Sequence, residues 1–409
     1  MANKFIEFLL KPYGIILLSS LASFLAWAFP DFGVLRKGFS PTEPHFTSYF
    51  IVLSWYATLF ATSYVGFKMG QTIQANPRIA KFTAINDNHN DLIFYSLFTL
   101  AFIGFIATYL KIIPNLSPSE IVHAIATGNA NLLKKTLYND YSLGFVSLRY
   151  LTSAVAAIAL YQWICGKRGL GHFLLLTSSL IMLLLTIVIS SRLMFIMFLL
   201  TVVYLVVHQS IKNKNFVNIK AITAFIICFS ILTILNYSRN INFYSSIGLN
   251  NPLVANFAEI LSYLGAPFQG AISAVDHFNN LCLGSFLSSP SASHLTNIEP
   301  LLSTNSALLE LCLSGDWFNM IAMLLVIMVA GSIMGHIHQY RASYLNLIYA
   351  LLLYCCSELW RIYLFDRGIV MTITIGIVCS ISIAVITQLF FNALIDKQHQ
   401  IGTHINNHT

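Results

Sequence analysis

Five of the chain's nine arginines, Arg149, Arg192, Arg239, Arg361 and Arg367, stand at the ends of long apolar runs, on the side that the loop charges predict to face outward. Positive charge normally gathers in the cytoplasmic loops of membrane proteins, so this placement calls for a reason. A guanidinium offers a planar fork that fits two oxygens of a phosphate or carboxylate, where an ammonium acts only as a point charge. The outward segments carry six Arg to four Lys, and the inward segments three Arg to nine Lys. That asymmetry suits a receptor for a diphosphate. The plainer reading of any single arginine is an interfacial anchor whose stem lies along lipid while its head reaches water.

The local contexts sharpen the first reading. Ser190-Ser191-Arg192-Leu193 forms a turn between two runs, and Tyr237-Ser238-Arg239-Asn240 stands where a run opens into a long segment. Both set an arginine beside small hydroxyl donors. In Trp360-Arg361-Ile362-Tyr363-Leu364-Phe365-Asp366-Arg367-Gly368 two arginines flank an aromatic stretch, and Glu358 and Asp366 are close enough to neutralise them as ion pairs instead. Proton acceptors on the same side are few: Asp140, Glu259, Asp276, His277, His294, Glu299, Glu310 and Asp316. Histidine is the usual general base near neutral pH, so His277 and His294 lead, with Asp276 adjoining the first. Asp276–His277 and Glu310–Asp316 lack a spacing diagnostic of a paired acid and base.

Other chemistries find no support. There is no G-x-x-x-x-G-K-[ST] loop, no H-E-x-x-H, no zinc-spaced cysteine and histidine cluster and no outward D-x-D pair. Neither a metal site nor a cofactor is expected. The seven cysteines lack C-x-x-C spacing and read as small core residues. His336 and His338, near Gln339 and Arg341, read as a solvated turn.

The elements that must position these groups are membrane helices. Hydrophobic residues make up 57% of the chain and charged residues 9%, against about 25% charged in soluble domains. The net charge of +7 is spread over loops. It signals topology and affinity for anionic lipid headgroups, not nucleic-acid binding. Ten runs are long enough to cross a bilayer, near 13–30, 48–67, 92–110, 146–165, 171–190, 192–210, 218–236, 317–335, 343–360 and 368–391. The first has the look of a signal peptide, with a small-x-small site at Ala26 and Ala28, and is read as an uncleaved span. Lysines and arginines recur on every second connection, which places both termini in the cytoplasm.

The expected organisation is seven spans in 1–236, a long outer segment in 237–316, three spans in 317–391 and a cytoplasmic tail in 392–409. The outer segment is too long for a structureless connection. Phe257, Ile260, Leu261 and Leu264 predict an amphipathic helix within 253–275, lying on the membrane surface or covering a cavity. A shorter helix is expected over 306–313. Gly66-x-x-x-Gly70 and Gly331-x-x-x-Gly335 fit close helix contacts.

Taken together, the layout resembles the bacterial O-antigen polymerase family, the oligosaccharide repeat unit polymerases, which is similar in layout to the O-antigen ligases. The resemblance rests on the Ser190-Ser191-Arg192 turn between the fifth and sixth spans, on Arg239 after the seventh, and on Thr304-Asn305-Ser306-Ala307-Leu308, Gly315-Asp316-Trp317-Phe318 and the Gly331 span. It implies an all-helical, multi-pass glycosyltransferase of the bacterial inner membrane with a periplasmic active site. Donor and acceptor would be undecaprenyl-diphosphate-linked oligosaccharides, and a polysaccharide chain-length regulator is an implied partner. Arg192 and Arg239 match the family's arginines by context, Arg361 and Arg367 by location, and Arg149 joins them as a further outward arginine. A histidine in the outer segment helps activate the acceptor in the related ligases, and His294 is its counterpart here, with Asp276, His277 or Glu310 as substitutes. Two other readings stand beside this one: a flippase for lipid-linked oligosaccharides, and a membrane acyltransferase that decorates surface glycans.

Overall fold

A computed structural model describes residues 2–29, 46–73, 76–77, 90–112, 144–189, 192–212, 248–249, 251–276, 306–313, 317–339 and 344–406, with isolated positions at 114, 117, 119, 120, 123 and 230. The described residues are 88% helix and contain no strand. Backbone polar groups in lipid must be satisfied within the segment, which makes helices obligatory for chains this apolar. In order these are α1 (Ala2–Leu9), α2 (Pro12–Trp27), α3 (Phe46–Thr72), α4 (Asn90–Ile112), a 3-10 helix (Phe145–Leu151), α5 (Thr152–Ile164), α6 (Leu170–Ile189), α7 (Arg192–Lys212), α8 (Pro252–Asp276), α9 (Ala307–Leu313), α10 (Trp317–Ile337), α11 (Leu345–Ser357) and α12 (Gly368–Asn406).

Five stretches are long and apolar enough to cross a membrane: Phe46–Thr72, Asp91–Ile112, Leu170–Ile187, Phe318–Ile337 and Gly368–Thr387. Pro12–Trp27, Met194–His208 and Leu345–Ser357 are apolar but shorter. The predicted run at 218–236 lies outside the described residues except for position 230. The bundle has two ends, named here for the residues that the sequence places at them. The arginine end holds the finish of α2, the start of α3 and the turn between α11 and α12. The lysine end holds α1, the finish of α3 and of α10, and the start of α11.

Glycines decide the closest contacts. α3 and α10 run side by side, and the two G-x-x-x-G patterns face each other. A Cβ on Gly70 would stand 1.9 Å from the Ser332 carbonyl oxygen, and one on Gly335 would stand 2.0 Å from that of Phe67. Without lipid-excluded water to drive them together, membrane helices associate through such backbone proximity. Gly104 performs the same service for α4, where a Cβ would meet the Arg149 nitrogen at 2.2 Å.

The 253–275 helix is present as α8, and its second half lies inside the bundle instead of on a membrane surface, with Phe268 lining a cavity against α2 and α3. All residues from 265 to 274 are buried. A helix that is buried on every side belongs to a core, and α8 packs against α2, α3 and α9. Phe268, fully buried, touches the rings of Phe24, Trp27, Tyr49 and Tyr56. Small residues at Ala266, Ala271 and Ala274, all at 0% exposure, let it come close. Polar contacts fix its register: Ser23 donates to the Leu264 carbonyl at 2.7 Å, the Trp27 indole donates to Gln269 at 2.9 Å, and Ser48 donates to Asp276. Pro267 lies inside α8 and has no N–H to offer the Tyr263 carbonyl one turn back.

At the lysine end a stack of rings adds to the glycine contacts. Tyr204 and Tyr349 lie 4.5 Å apart at 13°. The Tyr204 hydroxyl donates to Asn346 at 3.1 Å, and the Tyr349 hydroxyl donates to the Leu10 carbonyl at 2.9 Å. His338 packs edgewise or tilted against Phe67, His208 and Tyr349. It is therefore no part of a solvated turn. Its neighbours come from α3, α7 and α11, and their convergence cannot be read from the local sequence.

Candidate functional site

The charged groups of the arginine end collect where α8, α9 and the turn after α11 meet. That turn begins because α11 stops at Ser357: the amides of Glu358 and Leu359 bond back to Cys355 and Cys356 in tighter i−3 links. Glu358 and Arg361 fall three residues apart on one face. Arg361 donates to a single Glu358 oxygen through Nε at 3.0 Å and Nη2 at 2.7 Å, and both side chains are nearly inaccessible, at 7% and 5% exposure. The guanidinium lies 4.7 Å from the ring centre of Tyr263 on α8, and Trp360 meets that ring edge-on at 5.9 Å. Burial opposes the charge on Arg361, but Glu358 first, and then the surroundings at Tyr263 and Tyr354, hold it more firmly than in water. The Tyr354 hydroxyl, one turn before Glu358, is buried without a hydrogen-bond partner among the described residues.

Arg367 is placed differently. It is half exposed, donates to Glu310 of α9 at 2.9 Å, and stands 3.4 Å from Asp366. Its Nε also reaches the Tyr363 carbonyl at 3.3 Å. This contact ties α9 to the start of α12 across 57 residues of sequence. Burial pushes the Glu310 carboxyl above the ordinary carboxylate range, while Arg367 and the Tyr363 backbone pull it back and Asp366 adds to the rise. A half-buried carboxylate with a raised affinity for protons, beside an accessible guanidinium, combines a proton acceptor with an anion site.

Arg149 is the deepest of the predicted arginines whose side chains are described. It sits on the 3-10 helix at 3% exposure, beside Gly104, which lies about 12 Å below the finish of α4 at 1.5 Å per residue. Its Nη1 donates to the Val146 carbonyl at 3.2 Å and its Nη2 to the Tyr150 hydroxyl at 2.9 Å, with the guanidinium 4.5 Å over that ring. The 3-10 winding brings the carbonyl of residue i−3 within reach of the side chain. A seven-residue run of it is longer than such helices usually sustain. A buried arginine at this depth in an apolar bundle is a functional candidate in its own right.

The predicted site residues thus divide. Arg361 and Arg367 share one turn, and both reach the segment between the seventh and eighth predicted spans, through Tyr263 and Glu310. Arg192 opens α7, and its side chain lies outside the described residues. Arg239, His277, His294, Asp140, Glu299 and Asp316 lie outside them too. Asp276 closes α8, accepts a hydrogen bond from Ser48 and anchors the helix to the start of α3. Glu259 is buried on α8, one turn before Tyr263. The pairing of Glu358 with Arg361 was legible as an (i, i+3) spacing, and that of Asp366 with Arg367 as adjacency. The part played by Tyr263 had no local signal, because it depends on how α8 enters the bundle.

Among the described residues no group of three or more His, Cys, Asp or Glu side chains converges as metal ligands would. Cys355 and Cys356 are buried as small core residues, while Cys165, just past the end of α5, and Cys379, on α12, are exposed. No family model matches the chain, and no curated protein or solved structure matches it significantly.

Proposed function

We propose that the chain is a membrane glycosyltransferase that joins undecaprenyl-diphosphate-linked oligosaccharide repeat units on the periplasmic face into O-antigen or a similar surface polysaccharide, spanning the inner membrane about ten times with both termini in the cytoplasm. The observation that carries this reading is the pair formed by Arg367 and Glu310, an accessible guanidinium beside a carboxylate whose proton affinity is raised. In the reaction an acceptor hydroxyl oxygen attacks the anomeric carbon of the growing glycan. The bond from that carbon to the diphosphate breaks, the hydroxyl proton passes to a carboxylate or imidazole, and the diphosphate leaves with its electron pair. Fixed guanidinium groups stabilise the charge that builds on the leaving oxygens without a metal.

Arg367 is the cation best placed to exchange its carboxylate partner for a diphosphate, since its competing partners are part-exposed side chains. Release of Arg367 would leave Glu310 with burial and Asp366 acting on it, which strengthens it as a base at the moment the donor binds. Arg361 serves the same site as a positioning residue, since its guanidinium is held by Glu358 and Tyr263. Arg149, Arg192 and Arg239 complete the cationic set, and His277, His294 and Asp276 remain the other proton acceptors. A chain-length regulator is a proposed partner.

The experiment is the surface-polysaccharide ladder of a deletion strain complemented with the native chain, Arg239→Ala, Arg367→Ala or Glu310→Gln. The reading requires that the deletion stop at a single repeat unit and that only the native chain restore the ladder. An unchanged ladder in the deletion would remove polymerisation from consideration.

A further inference from the structure

α8 is continuous from Pro252 to Asp276, yet its two halves belong to different parts of the molecule. The first half starts as a helix of its own. Asn251 caps it, accepting the Leu253 and Val254 amides on Oδ1 at 3.0 and 3.4 Å. Ala255 and Ala258 pack with Val254 and Leu249 in a small apolar cluster separate from the bundle core, while Leu253 and Phe257 stay 79% and 44% exposed. The second half is enclosed. Phe268, Ala271, Ile272 and Ala274 belong to the main core, and Gln269 and Asp276 accept hydrogen bonds from Trp27 of α2 and Ser48 of α3.

The change of surroundings falls where the backbone is weakest. Gly265-Ala266-Pro267 stands between the halves, and Gly270 follows within a turn. Proline cannot return a hydrogen bond to the Tyr263 carbonyl, and its ring crowds that carbonyl. Glycine inside a helix leaves the backbone more freedom than any other residue, and helices bend at such places. The next carbonyl, that of Leu264, is held from outside by the Ser23 hydroxyl of α2 at 2.7 Å. The pivot is thus pinned to α2, and the residues before it are tied to the second half by one bond fewer than an unbroken helix would supply.

Ring contacts join the first half to its neighbours. Phe257 meets Phe29, just after α2, at 6.1 Å. Tyr263, the last residue before the pivot, lies against the Arg361 guanidinium and the edge of Trp360. That stack can open and close again without undoing the ion pair beneath it, because Arg361 bonds Glu358 through the nitrogens of its fork and offers the ring only its face.

We propose that α8 is a hinge: residues 252–263 form a flap that swings about 264–267 on the fixed second half, and the stack of Tyr263 on Arg361 is its latch. Opening bares one face of Arg361. The hinge goes beyond the function proposed above, and only its use as a gate to the charged turn of a polymerase rests on that reading.

The test places nitroxide labels on noncanonical residues, which leaves the native cysteines in place, in the full chain in bilayer nanodiscs. One pair joins positions 253 on the flap and 46 on α3, and the reference pair joins 318 on α10 and 46, all three positions being exposed. Pulsed dipolar distances are expected in two populations for 253–46 and in one for 318–46. Tyr263→Leu keeps apolar bulk but removes the ring, and should raise the ratio of open to closed about three- to thirty-fold, the range of a desolvated cation–π contact. Pro267→Ala returns the missing amide and should merge the two populations into one. A single 253–46 distance in both the native chain and Tyr263→Leu, or two populations that neither substitution alters, would overturn the proposal. A hinge found together with a normal ladder in the deletion strain would overturn the polymerase reading and leave the hinge standing. A lost ladder with a single, unchanging 253–46 distance would do the reverse.

Discussion

The two ends of the bundle bury polar groups by opposite means. At the arginine end full charges are held in pairs, with Arg361 locked to Glu358 and Arg367 to Glu310. At the lysine end the buried polar groups are neutral: the stacked Tyr204 and Tyr349, the Asn346 amide and the half-buried His338. A paired charge keeps a strong field ready for a charged ligand, at the expense of desolvation that only its partner offsets. A ring stack gains most from apolar contact and needs one hydrogen bond per hydroxyl. The difference teaches where to look for chemistry: the arginine end presents charge, and the lysine end presents packed neutral groups.

The largest effect should come from breaking the buried pair. Glu358→Ala leaves the Arg361 guanidinium enclosed without its carboxylate, and removal of one member of such a pair costs about 3–5 kcal/mol. Replacement of both residues by methionine should recover most of that loss in thermal unfolding of the detergent-solubilised chain. A double variant as unstable as the single one would show that the pair acts through more than its charge balance.

Next in size is the glycine contact between α3 and α10. Gly70→Leu drives a side chain into the Ser332 carbonyl and the His336 backbone, and overpacking of this kind costs about 1–3 kcal/mol or more. The same substitution at Gly144, where a Cβ would meet nothing within 4 Å, should leave the melting temperature unchanged. At the lysine end, Tyr204→Phe strands Asn346, which is 2% exposed, and should cost about 1–3 kcal/mol with no effect on a polymer ladder.

How much of this was legible beforehand follows from how local each feature is. The amphipathic spacing around Phe257 to Leu264 foretold α8, and the G-x-x-x-G patterns foretold close contacts, because both are properties of one helix. The depth of α8 was not legible, since it depends on Phe24, Trp27 and Tyr56 from two other helices meeting Phe268. His338 was misread for the same reason: its immediate neighbours are polar, but its partners are Phe67, His208 and Tyr349. Arg361 with Glu358 could be seen from spacing, whereas Arg367 with Glu310 could not.

His338 offers a pH test of the lysine end. Burial first, and then the charge of Lys11, depresses its proton affinity, while Glu7 partly restores it. A histidine whose folded-state pKa is lowered binds its proton more readily when unfolded. Its contribution to stability is therefore intact above the unfolded value of about 6.5 and declines as the pH falls below that toward the folded value. Unfolding followed from pH 7.5 to 5 should show this decline, and His338→Phe should flatten it. A slope identical in the variant would assign the decline to other groups.

The smallest effect on stability is the one that best separates site from scaffold. Arg367 is half exposed, and exposed pairs contribute about 0–1 kcal/mol, so Arg367→Ala should melt within about 1 kcal/mol of the native chain. Glu310 carries the opposite bias. Its raised folded-state pKa means that folding favours the protonated form, a contribution present at low pH and lost as the pH rises through the folded value. Glu310→Gln, which mimics the neutral form, should then be neutral or slightly stabilising at pH 7. If the pair belongs to the site, both variants stay folded and both lose the ladder, and Arg367→Lys restores it poorly because a point charge cannot replace the fork. Two folded variants with a full ladder would make the pair a strut between α9 and α12, and the search for the diphosphate site would move to Arg149.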